Sequence, residues 1–559
     1  MRYSSSRIVR SWLAALCLAS VAVPAAAQVS AGQKPPASQK PPAGQQPPAI
    51  SQVPASTAVQ PSGPATPLSL EAAIKMALEN NLSVQVERIN PELQDQSIEQ
   101  AKSAWTPNLT GQFRVGQTNN PITSFFAGAS DKLTRDSVFG NVGISQLLKF
   151  GANYTATVDS SRNKSNSAYD SPNPSLASNL NFNFTQPLIR NREIDSSRQN
   201  LVVTKMNREI SDVSLRQTIL VTIRNVKYAY WNLKAAVAAY KVAQQSLDLA
   251  KESLRNNKSQ VEIGTKAPID IVEAEAEVAR RDEATIVAES AVRRAEDALR
   301  TLILDVKSPD FWTTRFDLTE QPKFEATTVD VEAAVKTALE KRTDLRAARK
   351  NLDVTESQIK YQKNQIMPDL NAVATYGLIG SGGTKLNYGT GGFPPPVIGQ
   401  ITDGYGTTIG RMFSNDFKSW SIALNFSYPL GTALAEATLT RTKLQQGQQR
   451  LQLQNQELQV ATSVRDVARQ VETNQKRVAS TQATQTLMER RLEAEQKKYA
   501  AGMSTNFLIF QAQRDLADAR YSALSALLDY NKSLVDLETV QEAPTAGGST
   551  LSLGASGGQ

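Results

Sequence analysis

The sequence predicts an α+β membrane fold in which very long helices feed barrel-type strands, the whole unit being written twice. Three observations carry this. The first is repetition. Leu70-Glu71-Ala72-Ala73-Ile74-Lys75-Met76-Ala77-Leu78-Glu79 returns as Val331-Glu332-Ala333-Ala334-Val335-Lys336-Thr337-Ala338-Leu339-Glu340, and in step with it Pro107-Asn108-Leu109 falls on Pro368-Asp369-Leu370. Further along, Phe184-Thr185-Gln186-Pro187-Leu188 matches Phe426-Ser427-Tyr428-Pro429-Leu430. The second is helix length: Arg190 to about Gln260 and Thr432 to about Lys498 hold no proline, and at 1.5 Å per residue each would span roughly 100 Å. The third is strict polar–apolar alternation just before Pro187 and Pro429.

The chain has 559 residues, a net charge of +8 and 40% hydrophobic residues. It opens on a leader: Arg2, Arg7 and Arg10, then an apolar run from Trp12 to Val23, then Ala25-Ala26-Ala27. The run is short for a bilayer span, so residues 1–27 read as an export signal. Its three arginines account for the fall from +8 to +5 on removal. Lys and Arg are interleaved with Asp and Glu, which gives no nucleic-acid signature. Histidine is absent and Cys17, inside the leader, is the one cysteine. That excludes His- and Cys-based triads and metal sites, and no cofactor site is expected. No phosphate loop is visible either: the Gly377–Gly392 stretch lacks the Gly-Lys-Ser/Thr ending.

Residues 28–67 repeat Gln-Lys-Pro-Pro-Ala motifs and read as a Pro-rich disordered linker. The first structural repeat is placed at 68–306, a connector at 307–328, the second repeat at 329–542, and a Gly/Ser-rich disordered tail at 543–559.

The first long helix carries a seam of alternating four- and three-residue steps: Ile219, Ile223, Val226, Tyr230, Leu233, Val237, Tyr240, Leu247, Leu254. The second carries Val460, Val464, Val467, Val471, Val478, Met488 and Leu492. Val221, Tyr228, Trp231, Ala235, Ala238, Val242 and Leu249 form a second stripe on the first helix. Two stripes mean a neighbour on each side, as in a wall curving into a tube or in an ordinary bundle.

The strands Asn179–Thr185 and Ser421–Tyr428 alternate, as do Asn108–Val115 and the segment beginning Leu370, Ala372, Ala374, Tyr376. Such alternation suits a water-filled membrane barrel and equally a soluble sheet with one wet face. The Gly-rich stretch Gly377–Lys418 is read as a long structureless external loop. Two further runs, Val138–Leu147 and Ala152–Val158, read as extra strands or as an external hairpin.

Arg342-Thr343-Asp344-Leu345-Arg346-Ala347-Ala348-Arg349, Tyr499-Ala500-Ala501-Gly502 and Gln511-Ala512-Gln513-Arg514-Asp515-Leu516-Ala517-Asp518-Ala519-Arg520-Tyr521 resemble the TolC-like outer membrane efflux protein family over residues 68–540. The resemblance implies a homotrimer with one shared transmembrane β-barrel and a long periplasmic α-helical barrel. It also implies residence in the outer membrane of a Gram-negative bacterium, in contact with lipid. The implied partners are a periplasmic adaptor and an inner-membrane RND or ABC transporter, and the implied function is the outer channel of a tripartite efflux or type I secretion system, not an enzyme. A surface structural or adhesive coiled-coil protein is the rival class; it accounts for the heptads but not for strands returning at equivalent places.

A pore in the outer membrane must close, and closure falls to the helix tips, Val261–Pro268 and Tyr499–Thr505, marked by Gly264 and Gly502. Asp270 and Tyr499 stand where the resemblance places gate residues, while Ser504 replaces the usual arginine. Asp270 and Glu273, three apart on a helical face, would make an acidic ring in a trimer. Acids in a helix's first turn are also favoured by the dipole alone.

Overall fold

The computed structural model describes residues 65–122, 132–265, 267–391, 396–431 and 433–544. The leader, the linker up to residue 64 and the tail from residue 545 lie outside the described residues.

The chain opens with strand β1 (Ala65–Leu68), helix α1 (Leu70–Asn80) and helix α2 (Leu82–Lys102). Each helix starts where a short polar side chain satisfies its first amides. Ser69 Oγ accepts from the Ala72 amide at 3.1 Å, and Asn81 Oδ1 accepts from the Ser83 amide at 3.0 Å. Strands β2 (Asn108–Pro121), β3 (Lys132–Leu147), β4 (Asn153–Ser165) and β5 (Ser175–Pro187) follow. Next come α3 (Ser196–Glu262) and α4 (Ile269–Ile303). After β6 (Arg315–Leu318), the order resumes with α5 (Val331–Lys341) and α6 (Thr343–Gln365). Then come β7 (Asp369–Tyr388), β8 (Val397–Asp403), α7 (Tyr405–Phe413), β9 (Lys418–Ser427), α8 (Ala433–Ala500) and α9 (Asn506–Val540).

Helices α3 and α8 have 67 and 68 residues, and α4 and α9 have 35 each. α3 packs along α4 and α8 along α9, and α9 also lies against α3. Part of the first seam is what α3 buries most deeply, while Val237 of that seam stays 42% exposed. Val226, Tyr230 and Leu233 are fully buried with Leu299 and Ile303 of α4, Ala73 and Ala77 of α1, and Leu528 of α9. On α8, Val460 and Val464 pack with Ala334, Val335 and Ala338 of α5, while Val471 and Val478 pack with Ala526 and Tyr530 of α9. The second stripe divides: Trp231 is buried and Leu249 stays 44% exposed.

Three expectations change. Helix α3 begins at Ser196, not Arg190. Asn191 takes a left-handed φ of 63°, its amide donates to Asn364 Oδ1 at 2.8 Å, and Arg190 pairs with Asp369 at 2.7 Å, so the chain turns before it coils. Ala65–Leu68, read as linker up to Pro67, pairs in parallel with β6, because Leu68, Phe316 and Leu318 all enter the core around Tyr230. Gly377–Lys418 is not structureless. β7 continues to Tyr388 and pairs with β8, and α7 lies on the sheet where glycine leaves room; a Cβ at Gly380 would stand 2.1 Å from the Thr408 carbonyl oxygen.

The runs around 138–147 and 152–158 are strands of the main sheet, whose order is β2-β3-β4-β5-β7, with β8 and β9 sharing the far edge of β7. Every pairing is antiparallel.

Candidate functional site

Two regions carry the functional geometry: the sheet at one end of the long helices and the helix tips at the other.

The strand registers align single rows across the sheet. One row reads Leu109, Ile144, Ala156, Phe182, Tyr376, Trp420. Its neighbour reads Thr110, Gly143, Thr157, Asn181, Gly377, Ser419. Successive side chains of a strand point to opposite faces, so one face is apolar and the other polar across six strand positions. The apolar face is bare at both margins: Phe113 is 75% exposed on β2 and Ile422 is 75% exposed on β9. Among the described residues each of these strands has one neighbour in the sheet, which leaves a row of backbone donors and acceptors unpaired along its outer edge. On the polar face Asp159 accepts from Asn181 Nδ2 at 3.1 Å and from Asn141 Nδ2, and the Arg114 guanidinium lies 5.5 Å above the Phe139 ring.

At the opposite end, both helix pairs turn in the same way. Gly264 (φ 80°) follows α3 and Gly502 (φ 75°) follows α8. The Gly264 amide donates to the Val261 carbonyl at 2.9 Å and the Thr265 amide to the Gln260 carbonyl at 2.8 Å. The Gly502 and Met503 amides do the same to Tyr499 and Lys498, both at 2.9 Å. This double bond satisfies carbonyls that the ending helix leaves over, and it needs a left-handed residue. Tyr499 Oη donates to Gln260 Oε1 at 3.4 Å, linking the two turns. Ser504, at the position where an arginine was expected, donates instead to Glu495 Oε2 at 2.9 Å.

Asp270 is half-buried and Glu273 exposed, in the first turns of α4. Among the described residues, neither carboxylate is engaged in an ion pair. The turns are ringed by bare apolar side chains: Ile263, Ile269, Val272, Met503 and Phe507 are all more than half exposed.

Sequence reasoning passed over Glu277, one helical turn beyond Glu273. Its residue is 5% exposed, and it accepts from Arg280 Nη2 at 2.8 Å and Arg281 Nε at 2.9 Å. Burial pushes its pKa up, but the two arginine hydrogen bonds, with the charges of Arg281 and of Arg514 on α9, hold it below the usual carboxylate value. The signal was present as an acid followed by basic residues at i+3 and i+4. Among the described residues no group of acids could hold a metal ion, and no helix is long and apolar enough to cross a membrane.

A sheet with one apolar face, carried on long helical hairpins, is the fold of outer-membrane efflux channels. The chain belongs to the outer membrane efflux protein family, which it matches over residues 73–303 and 334–540. Its fold is similar to that of the CmeC outer membrane channel of Campylobacter jejuni, with a TM-score of 0.58 at 15% identity over 85% of each chain. It is similar to VceC of Vibrio cholerae, with a TM-score of 0.57 at 15% identity over 85% of this chain and 96% of that one. It is also similar to the open state of the Neisseria gonorrhoeae MtrE channel, with a TM-score of 0.55 at 18% identity over 85% and 89%. A search of the curated proteins finds no match. Membership places the protein in the outer membrane with a large periplasmic part, as a passive channel and not an enzyme.

Proposed function

We propose that three copies of this chain close edge to edge into one water-filled conduit, the outer component of a tripartite efflux or type I secretion system. The observation that carries this reading is the open sheet. Its margins, β2 and β9, combine unpaired backbone edges with largely exposed apolar side chains, a surface that neither water nor lipid satisfies in a single copy. Pairing β2 of one copy with β9 of the next removes both edges. The apolar rows then face lipid and the polar rows face water.

The two sequence copies supply two quasi-equivalent helical hairpins per chain, and three chains make six around the axis. The exposed apolar collar at the turns suits docking of a periplasmic adaptor, which would in turn connect to an inner-membrane RND or ABC transporter. Selection of cargo then rests with the pump, and the channel contributes passage and closure.

Closure is assigned to the turns. Asp270 and Glu273 from three copies would surround the axis with negative charge, favouring cations and resisting anions. Tyr499 holds the second turn to the first through Gln260. The test is the purified protein in planar bilayers. Asp270→Ala should raise the conductance of the resting channel and weaken its cation preference. Unchanged conductance and selectivity would remove Asp270 from the gate. Native mass spectrometry of the extracted complex should give three times the chain mass; a monomer would overturn the ring.

A further inference from the structure

We infer that the β3–β4 hairpin is a spanning part of the pore wall, so that a ring of three chains closes as an eighteen-strand barrel. This rests on the ring proposed above. The two sequence copies account for β2 and β5, and for β7 and β9; where the first copy has the long strands β3 and β4, the described residues of the second have the short strand β8 and helix α7. Four strands per chain would make a ring of twelve. The hairpin raises each chain's share to six positions.

Three observations place it in the wall. First, it is not appended to the sheet but lies within it: β3 pairs with β2 from Asn108 to Pro121, β4 with β3 from Asn153 to Ser165, and β4 with β5 from Asn153 to Asn163, without a bulge. An up-and-down pair inserted between β2 and β5 keeps every neighbour antiparallel and the strand number even.

Second, the faces continue across it. Val142 and Ile144 of β3, and Ala156 and Val158 of β4, fall on the face of Leu180 and Phe182; nearer the hairpin tip the same face turns polar, with Ser160 and Arg162 opposite Gly140 and Val138. Asn141 and Asp159 fall on the face of Asn179. A hairpin held outside the membrane, wet on both sides, has no use for an apolar face, and Val142 is 59% exposed in the single chain.

Third, the stagger permits closure if the first residue of β2 is set beside the last of β9. The row that starts at Asn108, the first residue of β2, reaches Ser421 on β9, six residues short of that strand's last residue, Ser427. Setting Asn108 of one chain beside Ser427 of the next shifts the register by those six residues. That is one residue per strand, so over the whole ring the shear equals the strand number. With strands about 4.8 Å apart and about 3.3 Å per residue, such a ring tilts its strands by about 35°, inside the range for membrane barrels. Its backbone diameter is about 34 Å, against about 22 Å for twelve strands at the same tilt. The outer-membrane exit is therefore a wide mouth, and size limits fall on the helix turns below it.

The test uses single cysteines in the full chain, assembled in outer membranes, and a water-soluble maleimide. Asn141→Cys and Thr157→Cys should label readily through the lumen. Val142→Cys and Val158→Cys should label at least tenfold more slowly, being against lipid. Equal labelling of all four would place the hairpin in water and overturn the inference. A density map of the purified trimer should show eighteen strands. A trimer with twelve strands and a separate hairpin would overturn the inference while leaving the ring intact; a monomer would bring down the ring, and this inference with it.

Discussion

Two adjacent residues of β5 should respond oppositely to the same substitution. Phe182 lies on the apolar face in the row that runs from Leu109 to Trp420, stacked at 6.3 Å on Tyr154. Asn181 lies on the polar face, where its amide donates to Asp159 Oδ2 at 3.1 Å. Phe182 is five residues above Pro187, where the strand ends. At about 3.3 Å per residue and a tilt of about 35°, that is about 14 Å above the rim, near the middle of an apolar band about 25 Å tall. Arginine facing lipid at that depth costs about 2–4 kcal/mol. Each 1.36 kcal/mol is a factor of ten, so Phe182→Arg should lower the equilibrium constant for insertion by about 30- to 900-fold per chain. Asn181→Arg meets water and the Asp159 carboxylate and should be near neutral. The assay is the amount of heat-modifiable oligomer in outer-membrane fractions of each variant. Equal tolerance of both, or loss only with Asn181→Arg, would refute the assignment of faces.

Other consequences follow from the helical body. Tyr230 Oη donates to the Leu68 carbonyl at 3.1 Å and accepts from the Glu320 amide at 3.2 Å, so Tyr230→Phe should lower stability by about 1–3 kcal/mol. An unchanged thermal midpoint in detergent would contradict it. Glu277 has a folded-state pKa below its unfolded value, so its contribution is present above the unfolded carboxylate pKa, about 4.3, and is lost as pH falls through the folded one. Glu277→Gln should therefore melt lower than the wild type at pH 7 and converge with it in acid; a difference that grows on acidification would be the wrong sign. Gly264→Ala and Gly502→Ala place a Cβ at positive φ with nothing within 4 Å of it, so backbone strain of about 1–2 kcal/mol is the main penalty. Faster proteolytic nicking at the substituted turn is expected, and an unaltered rate would argue against the strain.

Much of this was legible in the residues. Heptad spacing located the buried side of α3 and α8, since Val226, Tyr230, Leu233, Val460, Val464 and Val471 are the residues the structure buries. Gly264 and Gly502 marked the turns, because a helix that stops and reverses needs a left-handed residue there. Three things were hidden. The start of α3 depends on Asn364 and Asp369, more than 170 residues away, which hold Asn191 and Arg190. β1 is too short to show a period, and its partner β6 lies about 250 residues further on. The Gly-rich stretch after Gly377 looked like loop because the glycines there serve close packing of α7 on β7, a tertiary demand with no local signature. At the turns, the resemblance pointed to Asp270 and the spacing added Glu273, whereas the carboxylate that the fold surrounds with arginines is Glu277.

The ring requires separate copies to share one sheet across β2 and β9. Outside the leader the chain contains no cysteine, so Asn108→Cys with Ser427→Cys reports directly on that seam. Mild oxidation of outer membranes carrying the double variant should yield covalent dimers and trimers on denaturing gels, all returned to single chains by reductant. Bands confined to the single-chain mass, from membranes in which the protein is abundant, would contradict it.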